Sequence, residues 1–229
     1  MRTEVLIRAI ATDIDGTLTD ANRVICPESI KAIRNVKIPI ILATGNTHCF
    51  TRTMAIALGT SFAFIAENGG VVSYSDNDME ILADLSASES AYQALSKPFQ
   101  IRRHDSRYRL TDITLERDFD MEAASKLIKG CNLPVELIDT AFAVHIKDKN
   151  VDKGTGLYRI ADRLGIGLQE FAAVGDSVSD IPMFKLAGFR ASVGNADPQL
   201  KAISDYVAKE NYGAGFAQIV EFMKEQKLF

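Results

Sequence analysis

The chain has 229 residues, 47% of them hydrophobic and 24% charged, with a formal net charge of −4. That length suits one large domain or a core carrying a smaller insert, and the composition excludes the disordered, collagenous and low-complexity classes. The acidic balance lacks the positive field that nucleic acid or an anionic membrane surface selects, so neither partner is expected.

Apolar runs alternate with amphipathic stretches in the first and last thirds, the pattern of parallel strands joined by helices. Buried strands are expected at Leu6–Thr12, Pro39–Ala43, Phe62–Ala66, Phe171–Val174, Phe189–Val193 and Tyr206–Ala208. Helices are expected at Pro27–Val36, Thr47–Leu58, Lys153–Leu164, Asp180–Leu186, Pro198–Ile203 and Ala214–Lys224. The middle third departs from this rhythm. A hairpin of Val71–Tyr74 with Glu80–Ala83 precedes a helix at Ser88–Leu95, a strand at Arg107–Leu115 and a helix at Met121–Lys129, then strands at Glu136–Asp139 and Phe142–Lys147. The expected fold class is α/β, a doubly wound, mainly parallel Rossmann-like core with an α+β insert. Residues 1–82 and 153–229 would form the core and 83–152 the insert.

Cys26, Cys49 and Cys131 are odd in number, widely separated and in no CxxC pair, which suggests neither a disulfide framework nor a zinc site. Glu4 and Arg8 interrupt Val5-Leu6-Ile7, so no secretory leader is expected, and no apolar run approaches the ~20 residues that span a bilayer. The cytoplasm is the expected location. Oligomeric state is not legible, a homodimer being among the possibilities.

In an open parallel sheet, ligands bind beyond the carboxyl ends of the strands, so the residues just after each apolar run carry the argument. They are Asp13-Ile14-Asp15-Gly16-Thr17, Thr44-Gly45-Asn46, Glu67-Asn68-Gly69-Gly70 and Gly175-Asp176-Ser177-Val178-Ser179-Asp180, with Lys153-Gly154 opening the helix after the insert. Taken singly, each aspartate reads as a helix cap or turn former, Thr44 as a cap and Lys153 as a surface charge. The fold would gather all of them at one sheet edge, where uncompensated carboxylates repel one another and a bound cation resolves the conflict. Oxygen ligands without histidine or cysteine favour magnesium, and with a lysine, a hydroxyl and turn amides the set describes a phosphoryl-transfer site. An aspartate ionised at neutral pH can attack phosphorus directly. A second carboxyl two residues on can give a proton to the leaving oxygen and later take one from water.

The four motifs together resemble those of haloacid dehalogenase superfamily phosphatases, over essentially the whole chain. The resemblance implies Asp13 as nucleophile and Asp15 as general acid/base, with Thr44, Gly45, Asn46 and Lys153 holding the phosphoryl group. It also implies that Asp13, the Asp15 backbone carbonyl, Asp176 and Asp180 place Mg2+. An insert between the second and third motifs is similar to the large α/β cap of one branch, and the small chain with Thr44-Gly45-Asn46 to that branch's archaeal phosphoglycolate phosphatases. The neutral Asn46 stands where many relatives carry arginine, and sugar-phosphate phosphatases share the branch. The partner implied is a small phosphorylated metabolite. A phospho-aspartate signalling receiver would need neither Asp15 nor the insert, and a phosphate-binding module would not need both carboxylates. Within the insert, Arg102, Arg103, Arg107 and Arg109 with His104 form a basic run that reads either as a solvated strand face or as a surface meeting the non-phosphate end of an anionic substrate. His48 and His145 have no ligand spacing and are assigned no role.

Overall fold

The computed structural model describes residues 6–104, 106–140 and 142–229, so Glu4 and Val5, on which the leader reading partly rests, lie outside it. The first elements are β1 (Ala9–Thr12), α1 (Pro27–Arg34), β2 (Ile40–Ala43), α2 (His48–Leu58), β3 (Phe64–Ala66), β4 (Val71–Ser75) and β5 (Asp78–Ile81). The middle third supplies α3 (Leu85–Leu95), β6 (Arg103–His104), β7 (Ile113–Leu115), α4 (Met121–Gly130), β8 (Val135–Asp139) and β9 (Val144–Asp148). The chain continues with α5 (Lys153–Leu164), β10 (Phe171–Gly175), α6 (Ile181–Phe184), β11 (Phe189–Ser192), α7 (Pro198–Ala202), β12 (Tyr206–Val207) and α8 (Tyr212–Glu225).

Eight strands form one sheet in the order β12-β11-β10-β1-β2-β3-β4-β5, parallel from β12 through β3 and closed at one edge by the antiparallel hairpin β4–β5. Successive strand residues point to opposite faces, yet every residue of β1, β2 and β10 is buried, so both faces are covered. Helices do the covering: α1 packs on α8 and α5 on α6. The mixed α/β architecture read from the alternating pattern is therefore present, built around Phe64, Phe171, Phe184 and Phe216. The middle third makes a second sheet, β6-β7-β9-β8, antiparallel throughout. With α3 and α4 it encloses its own apolar cluster around Leu95, Leu115, Ile128, Val144 and Ile146. Among the described residues, no helix is long and apolar enough to cross a membrane.

The strand expected at Arg107–Leu115 is replaced by a 3-10 turn at Ser106–Tyr108 and a strand of only Ile113–Leu115. Glu67 is the reason. Its buried carboxylate, just beyond β3, accepts hydrogen bonds from the Leu110 amide (2.9 Å), the Thr111 amide (2.8 Å) and Thr111 Oγ1 (2.9 Å). Those donors are thereby withdrawn from any strand ladder. The helix expected at Asp180–Leu186 is likewise shorter, because Asp180 closes a preceding 3-10 turn over Val178–Asp180. The first strand begins at Ala9 rather than Leu6, whose side chain is exposed.

Candidate active site

The chain passes from β1 to β2 on one side and reaches β10 on the other, so the crevice beyond the carboxyl end of β1 is the switch point of the sheet. Asp13 enters it directly after β1, its amide hydrogen-bonded to the Val174 carbonyl (3.0 Å) on β10. The turn that follows needs Gly16: its φ is +81°, and a Cβ there would stand 2.3 Å from Asp176 Oδ2. The two acidic loops can approach this closely only because that position carries no side chain. Asn195 fixes the same turn by donating to the Gly16 carbonyl (2.9 Å) while its own oxygen accepts from the Tyr212 amide (2.7 Å).

Lys153, the first residue of α5, is 2% exposed and donates to Asp13 Oδ1 at 2.7 Å and to Asp180 Oδ1 at 2.6 Å. Asp180 is fully buried, and its other oxygen accepts from the Asp176 and Ser177 amides, both at 3.0 Å. Oxygens of Asp13, Asp176 and Asp180 lie within 4.8 Å of one another. Burial raises the Asp13 carboxyl well above the ordinary range against the opposing pull of Lys153, with Asp180, Asp176 and Asp15 pushing the same way as burial. Asp176 is pushed up to about 7 by burial, then by Asp180. Lys153 is raised despite its burial, because Asp13 and Asp180 hold its proton. Three carboxylates facing one ammonium leave a buried surplus of negative charge. A hard divalent cation with oxygen ligands cancels that surplus, so this donor set fits magnesium.

Thr44 follows β2 and is buried, its hydroxyl accepting from the Asn46 amide (3.1 Å) and Asn46 Nδ2 (3.0 Å). Asn46 Nδ2 also donates to Asp15 Oδ2 (2.6 Å), so the asparagine links the Thr44 hydroxyl to the Asp15 carboxylate. Gly45 turns its carbonyl to Arg109 Nη1 (3.0 Å). A residue that the motifs did not reveal completes this wall. Arg23 donates through Nε to Asp15 Oδ1 (3.0 Å) and through Nη2 to Asp15 Oδ2 (3.2 Å) and Asn46 Oδ1 (2.7 Å). Nothing in the sequence marks it beyond its place in the short loop after the first motif.

These groups surround a cavity of about 590 Å³ whose far wall includes His104, Arg109, Thr114, Phe142 and His145 from the second sheet and its loops. The basic run divides in space. Arg102 is exposed and pairs with Glu116 and Asp118, Arg103 pairs with Glu89 and lies 4.0 Å over the Tyr92 ring, and Arg107 is exposed. Arg109 alone of the four is buried, paired with Asp112 (2.7 Å). His145, which sequence left without a role, gives Nδ1 to the other Asp112 oxygen (2.7 Å) and lines the cavity. Its placement inside an apolar strand was the available signal. Burial would raise Asp112, yet Arg109 and His145 outweigh it and hold that carboxyl below the usual range. His48 packs on Phe64 with ring centroids 5.1 Å apart.

The sequence profile of the haloacid dehalogenase-like hydrolases matches residues 10–113 and 122–220. A phosphoglycolate phosphatase of Methanothrix thermoacetophila is 52% identical over 96% of this chain and 98% of its own. Another, of Archaeoglobus fulgidus, is 44% identical over 94% and 96%. The crystal structure of Thermoplasma acidophilum 0175 superposes with a TM-score of 0.88 at 26% identity, covering 98% of this chain and all of the other. A phosphatase of Bacteroides thetaiotaomicron shares the fold, with a TM-score of 0.81 at 20% identity over all of this chain and 98% of its own.

Proposed function

The chain belongs to the haloacid dehalogenase-like hydrolases, a phosphoric monoester hydrolase by its relatives, and from that premise we propose a magnesium-dependent conversion of 2-phosphoglycolate to glycolate and phosphate through an aspartyl-phosphate. The observation that carries the chemistry is the buried Asp13, braced by Lys153 and facing a cavity that Asp15 also lines. The substrate is the one named for the archaeal relatives.

An Asp13 oxygen attacks phosphorus, forming the O–P bond as the bond to the glycolate oxygen breaks, and Asp15 gives that oxygen its proton. In the second step Asp15 takes a proton from water, whose oxygen attacks the same phosphorus and frees Asp13 as a carboxylate. Lys153 orients the nucleophile and meets the phosphoryl charge as it reorganises. The Thr44 hydroxyl and the Gly45 amide would meet the equatorial oxygens, with Asn46 holding Thr44 in place. Asp13, the Asp15 carbonyl, Asp176 and Asp180 would place magnesium, which when bound screens the carboxylates from the phosphate and polarises its oxygens. Asp180, with both oxygens already accepting hydrogen bonds, braces Lys153 and the Asp176 loop from behind.

Residues 83–152 would act as an inserted cap over the core of 1–82 and 153–229, a division supported by the separate apolar cluster of each sheet. The Cys26, Cys49 and Cys131 thiols are all free, which suits a reducing cytoplasm. Phosphate release with magnesium from a panel of metabolites, 2-phosphoglycolate and hexose phosphates among them, tests the reading. A kcat/KM for 2-phosphoglycolate at least tenfold above the rest is expected, and a hexose phosphate in first place would replace the substrate.

A further inference from the structure

Arg23 occupies a loop built to aim it. Its φ is +63°, a conformation that a residue with a side chain adopts only when its surroundings impose it. The surroundings are identifiable: Asp20 Oδ1 accepts from the Asn22 amide (2.8 Å) and the Val24 amide (3.0 Å), and Thr19 bridges Ile25 across the loop. The guanidinium so presented touches Asp15 on one side and lies 5.4 Å from the centre of the Phe142 ring on the other. It therefore spans from the acid/base to the opposite wall.

The other lysine and arginine on the cavity wall are committed. Lys153 is 2% exposed between two aspartates, and Arg109 is buried between Asp112 and the Gly45 carbonyl. Arg23 also spends Nε and Nη2 on Asp15 and Asn46, but its side chain is 38% exposed and those bonds leave Nη1 over. Asp15 is the group that meets the leaving oxygen, so what touches Asp15 is what first meets the rest of the leaving group. In 2-phosphoglycolate a carboxylate is joined to that oxygen through one methylene carbon. A carboxylate entering a cavity already lined by aspartates requires a cation at that spot, and the Nη1 end of this guanidinium, left over by the bonds to Asp15 and Asn46, offers it N–H donors.

We propose that Arg23 is the specificity-determining residue for the leaving group, its guanidinium binding a carboxylate that the substrate carries next to the phosphate ester. The inference rests on the phosphoglycolate reading above. It reassigns to a core loop the recognition that the basic run 102–109 suggested from sequence.

The test compares 2-phosphoglycolate with 2-hydroxyethyl phosphate, which has the same chain length and no carboxylate, in the wild type, Arg23→Met and Arg23→Lys, all with magnesium. Wild type should favour the carboxylate substrate. Arg23→Met should lower kcat/KM for it about 10–100-fold more than for the neutral ester, mainly through KM, as expected for loss of a charge-assisted pair. Arg23→Lys, which keeps the charge and loses the planar guanidinium, should recover part of the difference. Equal losses on both esters would mean that Arg23 acts only by orienting Asp15, and the proposal falls while the substrate reading stands. A variant that keeps the wild-type preference overturns it too. A wild type with no preference for the carboxylate sinks both readings. Circular dichroism melts of the variants identify a loss that comes from unfolding.

Discussion

At the proposed nucleophile, two demands meet in one carboxylate: Asp13 would have to be ionised to attack, yet it is buried among other aspartates. Lys153 answers part of that demand, which makes the brace behind Lys153 as consequential as the lysine. Asp13→Asn keeps the shape and the hydrogen-bonding oxygen but removes the nucleophile. Released phosphate should fall to background while the far-ultraviolet spectrum and magnesium-dependent substrate binding persist. Turnover within about tenfold of wild type would exclude the aspartyl-phosphate. Asp180→Asn is subtler. It puts an NH2 against either the Lys153 ammonium or the amides of residues 176 and 177, and an unsatisfied buried group costs about 1–3 kcal/mol. Both the melting temperature and kcat should drop. A variant with wild-type melting and unchanged kcat would remove Asp180 from the role of brace.

Between the elements, the decisive contacts tie the loops after β2 and β3 to the segment before β7: Arg109, paired with Asp112, donates to the Gly45 carbonyl, and Glu67 accepts from the Leu110 and Thr111 amides. Asp112 is held below the usual carboxylate range, so its contribution to stability is present above the unfolded value of ~3.9 and is lost as pH falls through the folded one. Protonation there leaves the Arg109 guanidinium buried without its partner. Asp112→Asn should therefore cost about 3–5 kcal/mol at pH 7, with the gap to wild type narrowing below about pH 4. Urea titrations at several pH values read that gap, and one independent of pH would contradict the assignment. The same contacts explain what was legible in the sequence. Parallel strands and their acidic carboxyl ends follow from local apolar runs and turn residues, which is why Asp13, Thr44, Lys153 and Asp176 could be named before any coordinates. Residues 107–115 have a strand's composition, but a glutamate more than forty positions away captures their amides, and no local pattern encodes that. Arg23 was hidden for a like reason, since its meaning comes from Asp15 and Phe142 together.

Across the molecule, the site exists only when the chain is folded, because positions 13, 176 and 180 converge from opposite ends of the sequence. An ion that binds this convergence binds the folded state and not the unfolded one, and so must raise the melting temperature. At a magnesium concentration about 100-fold above the dissociation constant the gain is ~2.7 kcal/mol, or roughly 5–10 °C for a chain of this size. Relief of carboxylate repulsion acts in the same direction as ligation, and one variant separates them. Asp176→Asn removes a charge from the cluster, so it should melt no lower than wild type without metal, while the rise on adding magnesium should shrink to near zero. Calcium and sodium at matched ionic strength control for screening, which acts on all surface charges alike. If wild type gains nothing from magnesium, or the variant gains as much as wild type, the ion is not held by this cluster. If the variant starts higher and ignores magnesium, the surplus of negative charge at the end of β1 is what the ion satisfies. Folding then maintains that surplus for the sake of phosphoryl transfer, at the expense of stability.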